Sequence, residues 1–173
     1  QPRSRGLGDV YKRQTRRSSP DSMTLRARLD RLEDGKEIAQ IGAAIGRRFS
    51  HRLLQSVCRL DADRLGAAIA RLLAADIVSC AGIPPNADYS FKHALIQDSA
   101  YASLLRDRRR QLHSDIAAAL QREFPETGDV RPETLASHLS NADQPMQALG
   151  FWQRAAELAT ARAAHADAVE YAN

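Results

Sequence analysis

The sequence predicts a mainly α protein with one short β-hairpin, and three observations predict it. Alanine and leucine dominate the 173 residues while aromatics make up only 5%, a composition suited to helices packed on helices. Apolar residues recur at helical spacing through most of the chain beyond residue 24. The recurrence fails between positions 77 and 91, where two β-prone runs flank a stretch of turn-forming residues.

Taken in order, leucines at 25, 29 and 32 place a first helix over residues 24–32, with arginines on its other face. Asp34 with Glu37 three residues on forms a capping box, and the helix it opens carries Ile38, Ile41 and Ile45 on one stripe as far as Gly46. Ser50 caps the next helix, which buries Leu53, Leu54 and Val57. Asp61 caps a third, which turns Leu65, Ile69, Leu72 and Leu73 inward. Residues 77–80 and 89–91 then read as strands, with turn chemistry from Gly82 through Pro84, Pro85 and Asn86 to Asp88. A hairpin directly after three short helices is the pattern of a winged-helix domain.

From His93 the chain returns to helix. Leu95, Ile96, Ala100, Leu104 and Leu105 mark one helix, and Leu112, Ile116, Leu120 and Phe124 a second. Residues 125–132 read as a linker, and alanine-rich helices follow over about 133–141, 145–164 and from His165 onward. Pro132 and Pro145 sit where a first helical turn accepts proline. Ala136, Ala148, Ala155, Ala156 and Ala159, beside a Trp152 read as core, suit tetratricopeptide-like helical hairpins. The expected organisation is a tail over 1–22, the end of a preceding helical region over 23–33, a winged-helix domain over 34–105, and a helical linker with the start of the repeats over 106–173.

The formal net charge of +4 does not belong to the folded part. Arg3, Arg5, Lys12, Arg13, Arg16 and Arg17 face only Asp9, and the chain beyond residue 17 carries 19 basic and 20 acidic residues. Residues 5–14 resemble translated sequencing-adapter sequence and are expected to contribute neither fold nor function. The chain ends inside a helical pattern, so both ends read as cuts in a longer protein. A nucleic-acid-binding domain normally carries its own positive face, which this count does not supply, and nucleic acid is not an expected partner. The exposed side of the third helix is expected to show Arg64 and Arg71 but also Asp61, Asp63 and Asp76, with no row of base-reading side chains. No apolar run approaches the roughly 20 residues that span a bilayer, and the N-terminal residues lack the apolar centre of a leader. A cytoplasmic protein without membrane contact is expected.

Cys58 and Cys80 lie in apolar stretches and read as buried, reduced thiols. His51, His138 and His165 have no Cys or His at ligand spacing, so no metal site is expected. His113, between Leu112 and Ile116, reads as packed or locally bonded, and Arg106, Arg108, Arg109 and Arg110 as a solvated helix start. Neither a P-loop nor an acidic strand end to hold magnesium is present, so the chain by itself is expected to catalyse nothing.

Residues 36–50 (KEIAQIGAAIGRRFS), 91–101 (FKHALIQDSAY) and 108–117 (RRRQLHSDIA) together resemble the STAND class of signalling ATPases. The resemblance covers roughly 23–173. It is nearest to the bacterial subgroup in which a class III adenylate or guanylate cyclase domain precedes an AAA-like ATPase and tetratricopeptide repeats. Large transcriptional regulators of the same class share this middle region. The resemblance implies a signal-transduction role in which the winged helix closes on a neighbouring ATPase domain that binds ATP or ADP with magnesium. It also implies that the repeats engage protein partners. In the related NB-ARC proteins a Met-His-Asp motif follows the hairpin, and its histidine reaches the β-phosphate of ADP. Here Lys92-His93-Ala94 falls in that place, which implies His93 as a nucleotide sensor, with lysine for the methionine and alanine for the aspartate. The alternative for His93 is a cap at the hairpin–helix junction. The alternative for the whole chain is a DNA-binding winged helix of a transcriptional regulator. A third reading assigns the protein a cyclase or ATPase activity seated in domains outside this segment.

Overall fold

Two side-chain caps set the frame of the N-terminal half. The Ser50 hydroxyl accepts from the Leu53 amide at 3.3 Å, and the Asp61 carboxylate accepts from the Arg64 amide at 2.8 Å. They open helices at the positions expected of them. A computed structural model describes Leu29, Leu32 and residues 34–171, with side chains as far as residue 163. The expected tail and, apart from Leu29 and Leu32, the helix over 24–32 lie outside the described residues.

The elements are α1 (Asp34–Ile45), β1 (Arg48–Ser50), α2 (His51–Val57), α3 (Ala62–Ala74), β2 (Val78–Ala81), β3 (Asp88–Phe91), α4 (Ala94–Ala102), α5 (Arg106–Glu123), α6 (Glu126–Val130), α7 (Pro132–Asn141) and α8 (Pro145–Tyr171). The protein is mainly α, with a small antiparallel sheet in the order β1-β3-β2 and a helical hairpin, α7 and α8, at its C-terminal end. Three helices, a strand between the first two and a closing hairpin make the winged-helix arrangement.

The third strand, β1, was not expected. It is only three residues long and lies between Gly46, whose φ of 150° ends α1, and the Ser50 cap, so it shows no alternation of its own. Phe49 pairs with Tyr89 across to β3 and sits between Tyr89 and Phe91, with ring centroids 5.7 Å away in each case. Gly42 of α1 lies over that ring. A Cβ there would sit 2.7 Å from the Phe49 ring carbons, so the missing side chain is what lets α1 settle on the sheet.

Both acidic residues at the start of α1 act as ion-pair partners. Asp34 accepts from Arg64 of α3 at 3.0 Å, and Glu37 from Arg108 of α5 at 3.3 Å. Leu112, Ile116 and Leu120 of α5 are buried on the expected stripe. One apolar cluster runs from Leu29 through the winged helix and α5 to Leu135, Leu139 and Ala148, with no gap at position 105.

Several apolar residues lie elsewhere than expected. Leu73 is 37% exposed, Leu95 56% and Leu105 80%. Each stands next to a buried residue: Leu73 beside Leu72, Leu95 beside Ile96 and Leu105 beside Leu104. A step of one residue turns a helical side chain about 100° away from its neighbour's face. Trp152 is 45% exposed rather than core, and its indole N–H donates to the Ser140 hydroxyl at 3.1 Å across the hairpin. Ala156 and Ala159 are likewise exposed. Cys80 is exposed towards the hairpin tip on the edge strand β2, whereas Cys58 is buried. The expected linker over 125–132 contains a turn of helix, α6, and the expected break near 164 is absent because α8 runs unbroken to Tyr171.

Candidate functional site

His93 stands where strand gives way to helix. Lys92 donates its amide to the Ile77 carbonyl at 3.1 Å, holding the end of the hairpin against the start of β2, and its ammonium pairs with Asp76. His93 then takes an extended backbone (φ −132°, ψ 134°) as the residue that caps α4, and its carbonyl accepts the Ile96 amide at 3.1 Å. Its imidazole makes no capping bond, so the expected alternative of a cap at this junction holds for its backbone and not for its ring. The residue is exposed, as are Lys92, Ala94 and Leu95 beside it. On the adjoining side the Arg47 carbonyl accepts from the Phe91 amide at 3.1 Å, and Gln97 reaches the Ala43 carbonyl at 3.4 Å. Arg47 after α1, His93 at the junction and Leu95 at the start of α4 are all exposed.

A second polar centre lies inside the molecule, where sequence reading expected only a locally satisfied His113. The Tyr101 hydroxyl is 2.8 Å from His113 Nε2, and His113 Nδ1 is 2.9 Å from His138 Nδ1. His113 and His138 are 4% and 6% exposed. Burial, then the nearby Arg109 charge, pushes His113 down to about 4, and burial, then His113, does the same to His138. Both are therefore neutral imidazoles near pH 7. Two proton arrangements fit these distances: with Tyr101 donating to His113 Nε2, His113 donates from Nδ1 to His138 Nδ1 and His138 keeps an Nε2–H; with His113 donating to the Tyr101 hydroxyl, His138 donates from Nδ1 and its Nε2 is an acceptor. The first arrangement uses the tyrosine proton and leaves a donor at the end of the chain, and it is the one that an anion beside His138 would select.

Arg109 holds this centre from the winged-helix side. Its guanidinium carbon lies 4.3 Å from the Tyr101 ring centroid, and Nη2 donates to the carbonyls of Tyr101, in the last turn of α4, and Leu104, just beyond it, at 3.2 and 3.3 Å. Its Nε is buried with no partner. The arginine run is therefore not one solvated patch: Arg108 goes to Glu37, Arg109 inward, and Arg110 to Asp143 at 2.6 Å. The His113–His138 pairing was beyond local signals, because 25 residues separate the partners.

Elsewhere, His51 Nδ1 bonds the Tyr89 hydroxyl at 3.1 Å, and the side chain of His165 lies outside the described residues. Among the described residues, no group of three or more His, Cys, Asp or Glu side chains could hold a metal ion, and no helix is long and apolar enough to cross a membrane. The exposed residues of α3 include Ala62, Asp63, Gly66, Ala67, Ala70 and Arg71, with Arg64 engaged by Asp34.

No protein-family model matches the chain, and no solved structure matches it. It is 24% identical over 148 residues to an uncharacterized protein of Rhizobium meliloti (strain 1021), a match covering 85% of this chain and 14% of that protein. The chain spans about a seventh of the length of the relative it matches.

Proposed function

We propose that this chain is a non-catalytic regulatory segment of a multidomain signal-transduction ATPase of the STAND class, in which the winged helix closes on the nucleotide switch and the helical hairpins engage protein partners. The observation that carries the reading is His93: an exposed imidazole with no intramolecular cap bond, at the junction of hairpin and helix, beside an exposed Leu95. A residue held by its backbone and free at its ring suits a contact supplied from outside the segment, and an imidazole can donate to a phosphate. The much greater length of the Rhizobium meliloti protein fits a segment set among other domains. The reading includes ATP or ADP with magnesium held by the adjacent ATPase domain, a class III nucleotide cyclase as the attached output, and a cytoplasmic location.

His93→Ala in the longer protein is expected to speed release of a fluorescent ADP analogue about tenfold, the loss of one hydrogen bond to a charged group. An unchanged dissociation rate removes His93 from the mechanism. The rival, a winged helix that reads DNA, is disfavoured by the alanine-rich outer face of α3, which carries no row of base-reading side chains. Salt-dependent binding of this chain to duplex DNA would restore it.

A further inference from the structure

Between β1, α5 and α7 lies a cavity of about 220 Å3 whose lining is divided by chemistry. Phe49, Leu53 and Leu120, all buried, give it an apolar floor. Arg48 and Arg131, both exposed, flank it, and Thr127 and Thr134 add hydroxyls. None of the described residues that line it is acidic. Arg48 has no ion pair among the described residues, and Arg131 has only a 3.6 Å contact to an exposed Glu133. His138 lines the same space and is buried, and in the arrangement where Tyr101 donates to His113 its Nε2–H is left as a spare donor.

We propose that this cavity binds a small monocarboxylic acid with an apolar body, its carboxylate received by Arg48, Arg131 and the His138 Nε2–H and its body resting on Phe49, Leu53 and Leu120. Charge decides the sign of the ligand: the lining holds two arginines and neutral donors and no carboxylate, the nearest acid being Glu133 at 3.6 Å from Arg131, and guanidinium groups suit the two oxygens of a carboxylate. Volume decides its size. A dry engineered cavity of about 150 Å3 accepts benzene, so this one has room for a single ring with its carboxylate and not for a nucleotide. The floor decides its body, because a bare inorganic anion would leave three buried apolar side chains facing empty space. The site joins residues of the winged helix to residues of the helical hairpin, so its occupant would be an effector that ties the two together. The inference does not depend on His93, which lies on other elements.

Benzoate is the probe, with benzamide as its neutral counterpart and inorganic phosphate as the bare anion, each titrated into the 173-residue chain and followed by amide NMR. Benzoate is expected to move the amides of Phe49, Thr127, Thr134 and His138 and to bind at least about tenfold more tightly than benzamide or phosphate. Arg48→Gln and Arg131→Gln are each expected to weaken benzoate about tenfold while leaving the thermal midpoint of the free protein unchanged, since both side chains are exposed. Absence of benzoate shifts at these residues at about 10 mM would overturn the proposal. So would equal binding of benzamide, which would leave the arginines without a role, or equal binding of phosphate, which would leave the floor without one.

Discussion

The buried Tyr101–His113–His138 chain makes the stability of this protein depend on pH in a window where few other groups titrate. In the folded state both imidazoles ionise near 4, against 6.5 for a free one. The unfolded chain therefore binds protons that the folded chain refuses, and stability present above pH 6.5 is lost as pH falls towards 4. Linkage between these values gives a loss of about 2 kcal/mol per histidine from pH 7 to pH 5, and a few kcal/mol for the pair. That is a large share of the roughly 5–15 kcal/mol by which a domain is stable. Urea unfolding at pH 7 and pH 5, with the midpoint shift multiplied by the slope, measures it directly. The Glu123 carboxylate, held low by the Ser56 hydroxyl and then Arg122, loses stability with the same sign, but only as pH falls through the carboxylate range. Measurements kept at pH 5 and above therefore isolate the imidazoles. The double variant His113→Leu with His138→Leu is expected to be less sensitive to acid by most of the calculated amount, whatever its stability at pH 7. A double variant with the parental slope, or a parent equally stable at both pH values, would refute the reasoning.

The same substitution should act in opposite directions at two helical glycines. Gly42→Ala drives a methyl into the enclosed Phe49 ring and is expected to destabilise by about 1 kcal/mol net, an overpacking cost of roughly 1–3 kcal/mol partly offset by helix propensity. Gly66→Ala in α3 meets nothing within 4 Å and is expected to stabilise by about 0.5–1 kcal/mol; thermal or urea unfolding of the two variants checks the pair. Asp61→Ala removes the acceptor at 2.8 Å from the Arg64 amide and is expected to cost about 1 kcal/mol by the same assay, with the loss recovered largely by Asp61→Ser.

What could be read from the residues alone was what local chemistry decides. Ser50 and Asp61 announce helix starts because a short polar side chain before an apolar stripe has few other uses, and both cap as expected. The hairpin was legible for the same reason, since residues 82–88 satisfy turn geometry and little else. Strand β1 was not, because three residues cannot display a period and its pairing is decided by a partner 40 positions away, Phe49 with Tyr89. His93 was found through its neighbours in sequence, whereas the His113–His138 pair and the cavity behind it have no sequence signature, being built by two helices that meet only in the fold. Trp152 was misplaced because size and apolarity argue for burial only when a facing element exists to bury against, and among the described residues its outer side has none.

The placement of α5 constrains how any signal could cross this segment. Its stripe of Leu112, Ile116 and Leu120 belongs to the same apolar cluster as Leu54 and Leu65 of the winged helix and Leu135 and Leu139 of α7. Swinging the hairpin away would uncover that stripe and expose two imidazoles whose protonation the fold suppresses, a cost set by several buried aliphatic side chains at about 1.5–3 kcal/mol each. A hinge at α5 is therefore disfavoured against movement of the winged helix, α5 and hairpin as one body, in which a push on α8 arrives at the His93 surface as a rigid displacement. The cavity is the exception. There β1 and α7 face each other across space rather than through packed side chains, so a ligand can change how firmly the two are joined without breaking the core that joins everything else.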